Sequence, residues 1–211
     1  MKRSFLWLLC LLPLPAVTQQ PSPPAAAAIP AQASVRFGFD WSQGFPWQSY
    51  SITVQSDGKA RFEGIPHPDE TSDSSPYHQD FTITEANCQK IFMLAEKLNY
   101  FQGNFEAHLK HVAQTGQKTL QYQSPHLQGS TTYNFSQDPD VQELTRLFTG
   151  IAMTIDYGRK LAFQYRYDKL GLDERLKELE GLVASHGVEE LALLVPMLEK
   201  IADDPDLMNI S

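Results

Sequence analysis

Tyr50-Ser51-Ile52-Thr53-Val54-Gln55-Ser56-Asp57-Gly58-Lys59-Ala60-Arg61-Phe62-Glu63-Gly64 is the stretch from which the fold class follows. Tyr50, Ile52 and Val54 alternate with polar residues, Asp57-Gly58 intervenes, and Ala60 and Phe62 resume the alternation. Alternation with period two marks a half-buried strand. An Asp-Gly between two such runs is a strong hairpin signal, because the tight turn it favours takes positive φ at both central residues. The stretch 50–64 is therefore read as a β-hairpin.

The same periodicity extends to either side. Upstream, Val35, Phe37, Phe39 and Trp41 alternate with Arg36, Gly38 and Asp40, a second half-buried strand. Downstream, 65–77 holds Pro66, Pro68 and Pro76 among polar residues and reads as a loop. A strand over 78–83 follows, and Thr84 is placed to cap a helix over 85–98 whose Cys88, Ile91, Ala95 and Leu98 share a face. Residues 99–117 carry no single pattern. Strands are expected over 118–123 and 131–135.

After Ser136 the period changes from two to 3.6. Val141, Leu144, Phe148, Ile151 and Ile155 form one helical stripe, with Asp138 as cap and Pro139 at the first helical position. Leu172, Leu176, Leu179 and Val183 form a second stripe, closing at His186-Gly187. Leu191, Leu194, Leu198 and Ile201 form a last one, interrupted by Pro196. Strands with one inserted helix, followed by a run of C-terminal helices, give an α+β fold with an antiparallel sheet.

The hairpin at 50–64, the following strand, the helix that begins Thr84-Glu85 and the later paired strands resemble an uncharacterised bacterial exported domain over roughly residues 35–155. In that family a Cys-Pro-x-Tyr stretch leads into the first hairpin strand. Here Phe45-Pro46 stands where Cys-Pro is expected, so any role of that cysteine is absent. The resemblance implies the fold and no known activity.

The N-terminus carries a compartment. Lys2 and Arg3 precede the apolar run from Phe5 to Leu14, and Pro15-Ala16-Val17 leads out of it. A charged start, an apolar run of about 7–15 residues and a small-residue exit describe a secretory signal peptide. A bilayer span needs about 20 apolar residues, so a retained anchor is the weaker reading and no integral span is expected after cleavage. The uncharged Pro/Ala tract over 21–33 reads as an extended linker. The chain thus divides into a signal peptide (1–20), a linker (21–33), an α+β domain (34–155) and a C-terminal helical extension (156–211). Cys10 leaves with the signal peptide, so Cys88 has no intramolecular disulfide partner and is read as a small buried hydrophobe.

A net charge of −8 repels phosphate backbones and anionic lipid, so no nucleic-acid partner is expected. No nucleophile elbow, phosphate loop, zinc signature or dinucleotide fingerprint is present, and no catalytic residue, cofactor or metal ligand is assigned. His67, Asp69, Glu70, His78 and Asp80 gather metal-ligand and acid–base chemistry, yet without a recurrent spacing they read as a solvated acidic loop. His108 and His111 would share a helical face if 104–113 were helical, without the Glu placement of a zinc protease. Two aromatic groups are candidate partner surfaces. Trp41, Phe45 and Trp47 flank Gly44 and Pro46, where rigid rings suit a carbohydrate or peptide, or form a lid on the core. Tyr165 and Arg166 belong to an aromatic–basic cluster over 157–169, for which helix-end packing is the preferred reading.

The function expected is a non-catalytic exported binding or scaffold protein of the bacterial envelope or periplasm, with a protein or glycan partner. The alternatives are an envelope-directed hydrolase using the 67–80 loop, and helical oligomerisation or partner docking through 170–204. If the leader is processed, protein recovered from the exporting cell begins between about Val17 and Ala33 by N-terminal sequencing. An intact Met1 on membrane-embedded protein overturns this.

Overall fold

The structure, a computed structural model, describes residues 29–40, 45–67, 75–108, 114 and 116–207. The signal peptide, most of the linker, Trp41, Asp69, Glu70 and His111 lie outside the described residues. Six strands form the frame: β1 (Ser34–Asp40), β2 (Trp47–Gln55), β3 (Lys59–Pro66), β4 (Tyr77–Thr82), β5 (Gln117–Gln123) and β6 (Gln128–Tyr133). They pair antiparallel in the order β4-β3-β2-β1-β5-β6, so β1 and β2 occupy the centre.

The β2–β3 hairpin forms as expected, with a different turn. Val54 pairs with Ala60, and the Gly58 N–H reaches the Gln55 carbonyl at 3.0 Å. Gly58 has φ +83°, whereas Asp57 is not left-handed. A three-residue loop places its single positive φ at the last residue, so only the glycine of Asp-Gly is left-handed. Asp57 acts through its side chain, whose Oδ1 accepts the Lys59 N–H at 3.0 Å.

Alternation puts Val35, Phe37, Phe39, Tyr50, Ile52, Val54, Ala60, Phe62, Leu120 and Tyr122 in the buried core. Two helices cover that face: α1 (Glu85–Lys97) and α2 (Pro139–Tyr167). Thr84 Oγ1 accepts the Asn87 N–H at 3.4 Å at the start of α1. Asp138 Oδ1 accepts the Asp140 and Val141 N–H groups at 2.9 and 3.3 Å at the start of α2. Cys88 is buried on α1, and desolvation raises its thiol pKa, which suits an inert packing residue. Phe148 of α2 stacks on Phe37 with centroids 5.2 Å apart.

Trp47 lies in a strand instead of the loop expected before the hairpin, and it follows the core-lid reading over the partner surface. It opens β2 and is fully buried, 105 residues from the Ala152 carbonyl to which its Nε1 donates at 3.2 Å. A register shift between Trp47 and Ser49 changes the parity of β2, so that Trp47 and Tyr50 both join the core. The Phe62 ring lies 4.6 Å away. An added Cβ on Gly64 would fall 2.8 Å from both the Phe62 and Trp47 rings, so that glycine is required.

The stripe expected to end near Ile155 continues to Tyr167, so the sheet domain and the C-terminal helices share α2. Its second half joins Tyr157 and Leu161 to Leu172 and Leu179 of α3 (Leu172–Ala184), and to Val188 and Leu194. A 3-10 turn (Leu191–Leu194) leads into α4 (Val195–Ala202), with Pro196 in its first turn. The join is polar as well. The buried Glu190 carboxylate accepts the Thr84 backbone N–H at 3.1 Å, its hydroxyl at 2.8 Å and Asn87 Nδ2 at 2.8 Å, so a distant residue caps α1. Arg146 pairs with Glu143 at 2.9 Å and with Glu189 at 2.6 Å, and Lys90 of α1 also pairs with Glu143.

Between α1 and β5, Asn99, Tyr100 and Phe101 are all left-handed, with φ of 49°, 54° and 66°. Such residues cost about 1–3 kcal/mol each unless their surroundings hold them. Phe101 is fully buried, and the Tyr100 ring sits 4.6 Å from that of Tyr122. The Tyr100 carbonyl comes so close to β6 that a Cβ on Gly129 would lie 2.0 Å from it. β6 starts at Gln128, earlier than the expected 131–135, and Phe135 falls outside the strand. Among the described residues no helix is long and apolar enough to cross a membrane.

Two outcomes follow from these contacts. Gly58→Val places a Cβ at positive φ and lowers stability by about 1–3 kcal/mol in denaturant unfolding; an unchanged midpoint excludes the turn. Arg146, then Lys90, hold the Glu143 carboxyl down at about 2, below the ordinary ~4.3. A depressed folded pKa stabilises above the unfolded value and is lost as pH falls towards 2. The melting temperature of Glu143→Gln therefore declines less between about pH 5 and pH 2 than that of the native chain; parallel declines contradict the clamp.

Candidate functional site on the open face of the sheet

The side chains that alternate with the core project to the other face, where the packing of the described helices does not reach. Register aligns them into rows across the strands. His78, Glu63, Ser51, Gly38, Thr119 and Thr132 form one row from β4 to β6. Asp80, Arg61, Thr53, Arg36, Gln121 and Ser130 form the next. Ile65, Ser49, Asp40 and Gln117 lie on the far side of Gly38. All of these but Asp80, Thr53, Ser130, Thr132 and Gln117 line a groove of about 530 Å³, which also takes in Tyr50, Gly64, Pro76 and Tyr77.

Gly38 leaves open space among these side chains. It lies in the middle of β1, paired with Ser51 on one side and Thr119 on the other. Its φ is not left-handed, and a Cβ built on it meets nothing closer than Thr119 Cβ at 3.9 Å. Gly64 and Gly129 are imposed by steric contact and Gly58 by its φ; Gly38 is imposed by neither. A glycine within a strand often marks a place where a ligand approaches the backbone.

The charges around it are unequal in their engagement. Arg61 donates to Glu63 at 3.0 Å and to Asp80 at 3.2 Å, and Glu63 first, then Asp80, raises its pKa. Arg36 donates to the Ser51 hydroxyl at 3.1 Å, and no carboxylate among the described residues pairs with it. Thr119 and Thr132 hydroxyls meet at 3.4 Å. The groove thus offers hydroxyl, amide, guanidinium and carboxylate groups to a polar ligand. It does not build a serine nucleophile: Glu63 separates Ser51 from His78, and two strand spacings put them about 10 Å apart.

The residues expected as a partner surface are dispersed. Trp47 is interior, and Phe45 is half-buried with its ring 5.9 Å from Phe39 and 5.6 Å from Tyr50. Both serve the core, because the β2 register shift turns Trp47 inward. Tyr165 belongs to the separate C-terminal cluster, where its ring receives Lys200 at 4.7 Å and Lys169 at 5.3 Å. Its hydroxyl bonds to Asp204, which raises the Tyr165 pKa. Arg166 is exposed and lies 5.2 Å over the Tyr167 ring. These contacts fit helix-end packing.

His67 is half-buried after β3, with its N–H on the Pro46 carbonyl at 3.1 Å, and His78 is exposed on β4. His108 lies in non-helical chain, its Nε2 3.4 Å from Asn104 Nδ2, so the condition for a shared helical face is not met at 104–108. Among the described residues no group of three or more His, Cys, Asp and Glu side chains gathers to hold a metal ion. Lys118 is buried at the end of β5, 4.7 Å over the Phe39 ring and 2.9 Å from the Asn134 carbonyl, and desolvation lowers its pKa. It ties strand ends rather than lining the groove. In comparisons with known proteins, no family model and no curated protein matches the chain.

The residues of the groove were the polar half of alternating runs whose apolar half revealed the strands. One signal marked them in advance: a glycine inside the otherwise regular Val35-Arg36-Phe37-Gly38-Phe39 alternation.

Proposed function

We propose that this protein is a non-catalytic exported module of the bacterial envelope or periplasm that binds a polar partner, protein or glycan, along the open face of its sheet. Gly38 carries the reading. Glycine within a strand costs about 0.5–1 kcal/mol relative to alanine, and at this position neither backbone nor packing requires it. Its missing side chain leaves open space in the groove that it lines. Export is supported by Lys2, Arg3 and the apolar run behind them, and the Pro/Ala tract suits a spacer between a membrane and a binding domain. A second reading, docking through 170–204, draws on Leu170, 76 % exposed, and on the exposed Val183, Leu191 and Val195. The hydrolase reading draws on His, Asp and Glu of the 67–80 loop, of which Asp69 and Glu70 lie outside the described residues.

A thermal-shift screen of envelope saccharides and peptides tests the binding role. A ligand at about 100 times its Kd stabilises the native chain by about 2.7 kcal/mol. Gly38→Val, which fills that space, loses most of that shift, while its unliganded melting temperature is equal or higher. A ligand that stabilises both proteins equally excludes the groove as the binding site.

A further inference from the structure

We infer that the groove recognises an acidic saccharide, a sugar bearing a carboxylate, with Arg36 as the carboxylate-binding residue. The inference rests on the binding role proposed for the open face. Three observations point to this chemistry.

The first is the central strand. β1 is hydrogen-bonded on both sides, to β2 and to β5, so the backbone at Gly38 has its ladder groups engaged. An extended peptide recognised by strand addition needs free main-chain donors and acceptors at a sheet edge, together with pockets for alternate side chains. The groove offers neither at its centre. Recognition there falls to side chains, and the lining is chiefly hydroxyl, amide and charged, complementary to a polyhydroxylated ring.

The second is Arg36. A guanidinium has five N–H donors, and one of them reaches Ser51 Oγ at 3.1 Å. Its cross-strand neighbours are Thr53 and Gln121, both neutral. Arg61, on the same face, is already paired with Glu63 and Asp80. Arg36 is therefore the cation able to take a ligand carboxylate through two parallel N–H bonds, the fork geometry that lysine cannot reproduce.

The third is the count of charge. Glu63 and Asp40 also line the groove. A phosphate concentrates two charges on one group beside them, whereas a uronate spreads its charge at one carboxylate per sugar unit, so that the unit at Arg36 is balanced there and the acids can accept hydrogen bonds from ring hydroxyls.

Titration calorimetry with trigalacturonate, its methyl ester and triglutamate tests the assignment. In the native chain trigalacturonate binds at least tenfold tighter than the ester, which keeps the shape and removes the charge, and at least tenfold tighter than triglutamate. Arg36→Gln abolishes the preference over the ester with an unchanged circular dichroism spectrum, and Arg36→Lys restores only part of it. Equal binding of the ester, binding of triglutamate as tight as that of trigalacturonate, an unaffected Arg36→Gln, or no binding of trigalacturonate at millimolar concentration each overturns the acidic-saccharide inference. Gly38→Val separates this from the underlying reading: trigalacturonate bound equally by that variant shows that the groove itself is not the site. A groove ligand found by the thermal-shift screen, with trigalacturonate silent, leaves the groove standing and removes the acidic sugar.

Discussion

Trp47 and the helix above it are the constraint on which the other parts depend. A six-stranded sheet with one apolar face must be covered from that side, and α2 does so together with α1. The indole is held at both ends of its chemistry, donating from Nε1 to the Ala152 carbonyl at 3.2 Å and packing on Phe62 at 4.6 Å. Arg159 of the same helix lies 4.9 Å over the ring, with its charge matched by the buried Asp156 at 3.2 Å. Gly64 is obliged to be glycine because the ring occupies the space of its Cβ. A bulky residue there would lift the helix or expel the indole, and burial of a large aromatic is among the largest single contributions to a core.

Committing the helices to one side leaves the other side wet. Antiparallel sheets commonly divide in this way, with one face on the core and one in solvent. Hydration alone accounts for Thr53, Ser130 or Thr132. It does not account for open space at the central strand, nor for an arginine whose neighbours across both ladders are neutral. The C-terminal helices are held to the same body through Glu190 at the α1 terminus and Glu189 on Arg146, away from the groove. Groove and core share Tyr50, Gly64 and Tyr77, whereas Arg36 and Gly38 belong to the groove without being part of the core cluster. A change at Arg36 or Gly38 need not disturb the packing.

Much of this architecture was legible in the chain. Thr84 and Asp138 cap their helices, Pro139 lies in a first turn, and Cys88 is buried with Ile91 and Ala95, because caps and periodicity depend on neighbours within a turn or two. The α+β class followed from the change of period after Ser136. What escaped has a common cause. Trp47 looked like a loop residue because its parity with Tyr50 is broken by a register shift that exists only in pairing with Pro66 and Ile65. The left-handed run Asn99–Phe101 carries no glycine to announce it; it is held by Tyr122 and by the gap at Gly129, both more than twenty residues away.

Local sequence thus specified the hairpin, the strands, the caps and the acidic charge. These depend on steric preferences and spacing within a few residues. Tertiary structure alone decided that Glu190 would cap a helix more than a hundred residues before it, that Trp47 would sit inside, and that Arg36, Ser51, Gly38 and Thr119 would be neighbours. Side chains on separate strands become adjacent only through register, and register is set by which residues the core can bury together.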